Sequence, residues 1–214
     1  MAENILILAA HPDDETLGCG ATLARLSSEG QHIKLITFTD GIGSRGSGGD
    51  RRPQVEESAR ILGIDEFVCG NFPDNMMDSV SLLSICQFVE QNVDGCPDII
   101  FTHHPECLNV DHRIVYQATL TVFRPQLGNS HDIYSYSIPS STDYNSIKFA
   151  YSYVYFDVKD FVSTKMQALK VYDEEMRKYP HSRSYDNILN LMKVHGSEVG
   201  LDFAEKFCHV RSVL

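Results

Sequence analysis

A mostly parallel α/β sheet flanked by helices is the fold that this 214-residue sequence predicts, and three features predict it. The run Ile5-Leu6-Ile7-Leu8-Ala9-Ala10 is continuously apolar and too short for a helix, as expected of a parallel strand buried on both faces. Similar short runs alternate with longer helical patterns through the N-terminal half, which is the signature of βαβ units. Gly30 and Gly63 stand where the first two helical patterns stop, positions at which a left-handed residue closes a helix at little cost.

In chain order the reading places strands over 4–10, 32–39, 66–69 and 98–102, with helices over 15–28, 53–62, 81–92 and 111–123. The stretch 39–50 carries five glycines and no core pattern, so it is expected to form a long loop, a lid bordering the same cleft as the end of the first strand. Beyond 129 the pattern changes. Aromatic and polar residues alternate over 134–139 and 151–158 like strands, helices follow over 161–178 and 185–195, and 203–213 closes the chain. All of this reads as one domain over 1–214, a Rossmann-like sheet with a C-terminal strand and helix extension.

A hydrophobic content of 43% gives a chain of this length a sizeable core. The formal charge of −11 excludes a general nucleic-acid binder, which needs clustered Lys and Arg against phosphates. No apolar run reaches membrane-spanning length and the first residues lack a signal-peptide pattern, so a cytoplasmic protein is expected. The six cysteines are scattered with no C-x-x-C and read as reduced thiols.

Chemistry concentrates at two strand ends. His11-Pro12-Asp13-Asp14-Glu15 follows the first strand directly, and His11 and Asp14, three apart across a strand-to-helix turn, can converge on one divalent ion. A third ligand is expected from the loop after the fourth strand, where His112 completes a set of two imidazoles and one carboxylate. Asp111 beside it suits a hydrogen bond that orients an imidazole. Asp13 is left over, and a spare carboxylate next to an ion suits a base that deprotonates an attacking water. Met166, Leu169, Val171, Tyr172 and Met176 read as core or as a homo-oligomer interface. The sequence contains no G-x-x-x-x-G-K-S/T phosphate loop.

Ala10-His11-Pro12-Asp13-Asp14-Glu15, followed about a hundred residues later by Asn109-Val110-Asp111-His112-Arg113, resembles the PIG-L/LmbE family of zinc-dependent de-N-acetylases. The likeness extends to 136–142, to Phe156-Asp157-Val158 with Lys165, and to Ala204-Glu205-Lys206-Phe207. It implies a cytoplasmic hydrolase that removes acetyl from an N-acetylglucosamine-type sugar, free or carried on a conjugate such as a nucleotide. It implies Zn2+ on His11, Asp14 and His112, with Fe2+ or another divalent ion satisfied by the same donors. Asp13 matches the general base, Arg51 a substrate-binding arginine, and Asp74 a sugar-hydroxyl acceptor.

The chain departs from the family pattern where many members carry a histidine: Asn109 stands there, able to donate a hydrogen bond to an oxyanion but not to carry a proton. The acid role then falls to protonated Asp13 or to His103, His104 or His181. Cys107, Ser137 and Gln54 replace residues that are frequently acidic. Arg45, Arg51 and Arg52 would suit an anionic conjugate. Two rival readings use the same residues: a non-haem iron oxygenase on the two-histidine, one-carboxylate triad, and a metal- or sugar-binding homologue without catalysis.

Overall fold

The computed structural model describes residues 2–41, 51–126, 130–146 and 150–212. In chain order they form β1 (Asn4–Ala9), α1 (Asp14–Ser28), β2 (His32–Thr37), α2 (Arg52–Leu62), β3 (Glu66–Cys69), α3 (Leu82–Asn92), β4 (Ile99–His103), α4 (Val110–Val122), β5 (Asp132–Tyr136), β6 (Tyr153–Asp157), α5 (Val162–Val171), α6 (Tyr185–Ser197) and β7 (Ala204–Arg211). The sheet has seven strands in the order β3-β2-β1-β4-β5-β7-β6. Pairing is parallel from β3 to β5, and β7 runs antiparallel to both β5 and β6.

β1 is buried on both faces. Ile5, Ile7 and Ala9 pack into a core with α1, α2, α5 and α6, while Leu6, Leu8 and Ala10 pack into a second core with α3 and α4. The helices thus make two layers around the sheet, as parallel strands require. The chain leaves β1 toward β2 on one side and later takes up β4 on the other. The crevice outside the carboxyl ends of β1 and β4 is therefore the topological switch point, where α/β sheets bind ligands.

Several expected elements are shorter in the structure, and two of them show why. The single helix over 161–178 ends at Val171, because Tyr172 leaves helical geometry and buries its ring, its hydroxyl donating to Glu15 Oε1 at 3.1 Å. A 3-10 turn, Asp173–Glu175, follows. The strand over 134–139 is instead β5, and Ile138 has already turned out of the sheet, its N–H donating to Thr142 Oγ1 at 3.0 Å. Most of the predicted lid, 42–50 with Arg45, lies outside the described residues. No helix among the described residues is long and apolar enough to cross a membrane.

Gly18 on α1 marks a close approach. A Cβ there would lie 2.2 Å from Cδ2 of Tyr136, a fully buried ring whose hydroxyl donates to the Leu8 carbonyl at 2.8 Å. Gly18→Ala is expected to cost about 1–3 kcal/mol through overpacking. Thermal unfolding should register this as a Tm lower by about 2–12 °C.

Candidate active site

From β1 the chain turns through His11-Pro12-Asp13 into α1, and Asp13 sits at φ 111°. A left-handed non-glycine residue costs roughly 1–3 kcal/mol and persists only where its surroundings hold it. Glu15 supplies that hold. Its Oε2 accepts the Asp13 N–H at 3.1 Å, and its Oε1 accepts from Thr16 Oγ1 at 2.7 Å, Ser58 Oγ at 3.1 Å and the Tyr172 hydroxyl at 3.1 Å. Burial raises the Glu15 carboxyl above its ordinary range.

The turn brings three donor atoms together with the start of α4. His11 Nδ1 lies 3.2 Å from Asp14 Oδ2 and 3.1 Å from His112 Nε2, and His112 Nε2 lies 3.3 Å from Asp14 Oδ2. Tetrahedral coordination with ligands at about 2.0–2.1 Å separates neighbouring donors by about 3.3 Å. The triangle therefore fits one zinc-like ion. Burial works to raise Asp14, but the neighbouring imidazoles of His112, His103 and His11 hold it well below the usual carboxylate range.

His11 is fixed from behind. Its Nε2 meets Asp111 Oδ2 at 3.1 Å and Asp74 Oδ1 at 3.2 Å, while Asp111 also accepts the N–H groups of Asn75 at 2.7 Å and Met77 at 3.0 Å. An imidazole that donates Nε2–H to a carboxylate turns its Nδ1 lone pair toward the triangle. His11, Asp74 and Asp111 also form a second cluster of possible ligands. Its key carboxylate, Asp111, already serves two backbone amides, so the first cluster is the better cation site. Despite burial, the bonds to Asp111, Asp14 and Asp74 raise the His11 pKa well above its ordinary value.

Asp13, on the same turn, is paired with an arginine. Arg183 Nη1 donates to Asp13 Oδ2 at 3.2 Å, and Glu175 accepts from Arg51 Nη1 at 3.3 Å on one oxygen, with Arg183 Nη1 3.9 Å from the other. Burial pushes the Asp13 carboxyl up to about 7 against the opposing charge of Arg183. Arg183 is 170 residues from Asp13, and no motif or spacing in the sequence points to it.

The other candidates fall at varied distances from this centre. Asn109 caps α4: its Oδ1 accepts the Asp111 N–H at 2.8 Å, and its Nδ2 donates to Asn75 Oδ1 at 2.8 Å. Arg51 is buried at the start of α2 with its guanidinium over the Tyr172 ring, and Asp74 Oδ1 lies 3.2 Å from His11 Nε2. His103 stacks on His112 with centroids 3.9 Å apart, and its Nε2 accepts the Ala10 N–H at 2.9 Å. Its neighbour His104 lines a different cavity of about 400 Å³ with Ile138, Tyr151 and Met192, to which none of His11, Asp14 and His112 contributes. Cys107 is buried with Sγ 3.1 Å from His112 Nδ1.

Residues 6–123 match the family model described as PIG-L, GlcNAc-PI de-N-acetylase. The chain is 33% identical over 136 residues to the uncharacterized deacetylase YaiS of Escherichia coli, covering 58% of this chain and 71% of that protein. Among solved structures, the conserved protein TT1542 from Thermus thermophilus superposes with a TM-score of 0.79 at 24% identity, covering 99% of this chain and 96% of the other. The N,N'-diacetylchitobiose deacetylase from Pyrococcus horikoshii gives a TM-score of 0.74 at 21% identity, covering 98% and 84%. At such identities the two structures speak for the fold. With the family match spanning the turn after β1 and the start of α4, the chain belongs to the PIG-L family of de-N-acetylases, which are hydrolases.

Proposed function

We propose that this chain removes the acetyl group from an N-acetylglucosamine-type sugar or conjugate, with Zn2+ held by His11, Asp14 and His112. The observation that carries this reading is the triangle of three donor atoms 3.1–3.3 Å apart with Asp13 on the same turn. An ion bound there acidifies water and polarises the acetamide carbonyl. Asp13 takes the proton of the water as its oxygen adds to the carbonyl carbon, then returns it to the nitrogen as the C–N bond breaks, leaving acetate and a free amine. Asn109 braces the oxyanion through its amide N–H, and Arg51 and Asp74 contact the sugar. Asp111 keeps His11 in the tautomer that faces the ion. The activity named for the Pyrococcus horikoshii enzyme supports the choice of an N-acetylated amino sugar.

A panel of N-acetylglucosamine conjugates, free, nucleotide-linked and lipid-linked, tests this through coupled detection of acetate. Release is expected from at least one, is lost on chelation and returns with zinc. One tightly bound ion with no release from any conjugate would favour the binding-protein reading. Dioxygen consumption that requires iron would favour the oxygenase.

A further inference from the structure

We propose that Cys107 is the positioning residue of His112, its sulfur accepting the Nδ1 proton and so presenting Nε2 to the ion. This rests on the reading of His11, Asp14 and His112 as the metal ligands. A histidine binds a metal through one nitrogen only when the proton is kept on the other, and an acceptor behind the ring keeps it there. For His11 that acceptor is Asp111. For His112, whose Nε2 completes the triangle, the described residues offer Cys107 Sγ at 3.1 Å from Nδ1.

The sulfur is held in place for this. Cys107 is 1% exposed, and Ser141 Oγ lies 2.8 Å from Sγ. The Cys107 carbonyl accepts from Arg113 Nη1 at 2.6 Å, and its N–H donates to the His104 carbonyl at 3.2 Å. The loop is also tied to the 138–142 turn, because the Leu108 N–H donates to the Ser141 carbonyl at 3.3 Å. Because Sγ sits on the Nδ1 side of the ring, it cannot join the triangle without displacing the imidazole. Cys107 thus acts through His112 and not on the ion.

Zinc affinity, measured by competition against a chromophoric chelator, is the test, with folding followed by circular dichroism in the presence of EDTA. Cys107→Ala is expected to bind zinc about 10–100-fold more weakly than the parent, as lost imidazole support generally does. Cys107→Asp, which rebuilds the arrangement behind His11, is expected to restore affinity to within about threefold. Cys107→Val fills the volume without an acceptor and gives the same loss if the alanine variant does not fold. The cobalt-loaded parent is expected to lack an intense sulfur-to-cobalt charge-transfer band. A folded Cys107→Ala or Cys107→Val that titrates like the parent, or a charge-transfer band in the parent, overturns this proposal alone. A parent that holds no zinc overturns the metal reading and this proposal together.

Discussion

Asp13→Asn is expected to slow acetate release about 10²–10⁴-fold, the usual contribution of a positioned proton-transfer group, while zinc content stays at the parent level. Asparagine has the same shape and tolerates a positive φ as aspartate does, so the turn at φ 111° and the hold of Glu15 on its N–H survive. The amide can accept from Arg183 but cannot take a proton from water. The folded chain should not lose stability by the exchange. Burial pushes the Asp13 carboxyl up to about 7, so in the metal-free protein its ionised form is the one the fold disfavours. For a carboxyl whose folded pKa is raised, stability falls as pH rises through the window between the ordinary value of about 4 and the folded value. Metal-free Asp13→Asn should therefore match the parent in Tm at the acid end of that window and exceed it at the neutral end. Undiminished turnover by the zinc-loaded variant would remove Asp13 from the proton path.

The features that could be read in the sequence are those carried by local pattern. The continuous apolar run of β1 announced a doubly covered strand. The two ionisable motifs meet because each follows one of two strands that pair directly, β1 and β4. Features made by distant contacts were not visible. Tyr172 ends α5 early because a buried carboxylate, Glu15, lies on another element, and helical periodicity carries no trace of it. Arg183 reaches Asp13 from a loop with no motif. Cys107 gave no sign of its partner in the sequence, because its placement behind His112 depends on how Ser141 and Arg113 shape the loop. Asn109 shows the opposite limit, since a residue read for oxyanion chemistry also caps α4, and a helix cap leaves the same letter in the sequence.

Lys165→Met is expected to destabilise the protein by roughly 3–5 kcal/mol, the cost of stranding a buried charge. The corresponding fall in Tm is about 6–20 °C. Lys165 and Glu205, 2% and 3% exposed, pair at 2.5 Å across α5 and β7. Their remaining valences enter α1: Glu205 accepts the N–H groups of Ala21 at 3.2 Å and Thr22 at 2.7 Å, and Lys165 Nζ donates to the Leu17 carbonyl at 2.8 Å. The N–H groups of Ala21 and Thr22 are those a regular helix directs to positions 17 and 18, so the pair is woven into the ladder of the helix that begins at Asp14. Without the ammonium, Glu205 keeps two backbone donors and no counter-charge. Lys165→Met/Glu205→Gln should recover part of the loss, because no charge is left buried, although the single amide oxygen replaces only one of the two oxygens that accept from Ala21 and Thr22. Zinc affinity should follow stability in the single variant, since loosening α1 moves Asp14 relative to His11 and His112. A single variant as stable as the parent would mean that solvent reaches Glu205 and that the pair does not anchor the site helix.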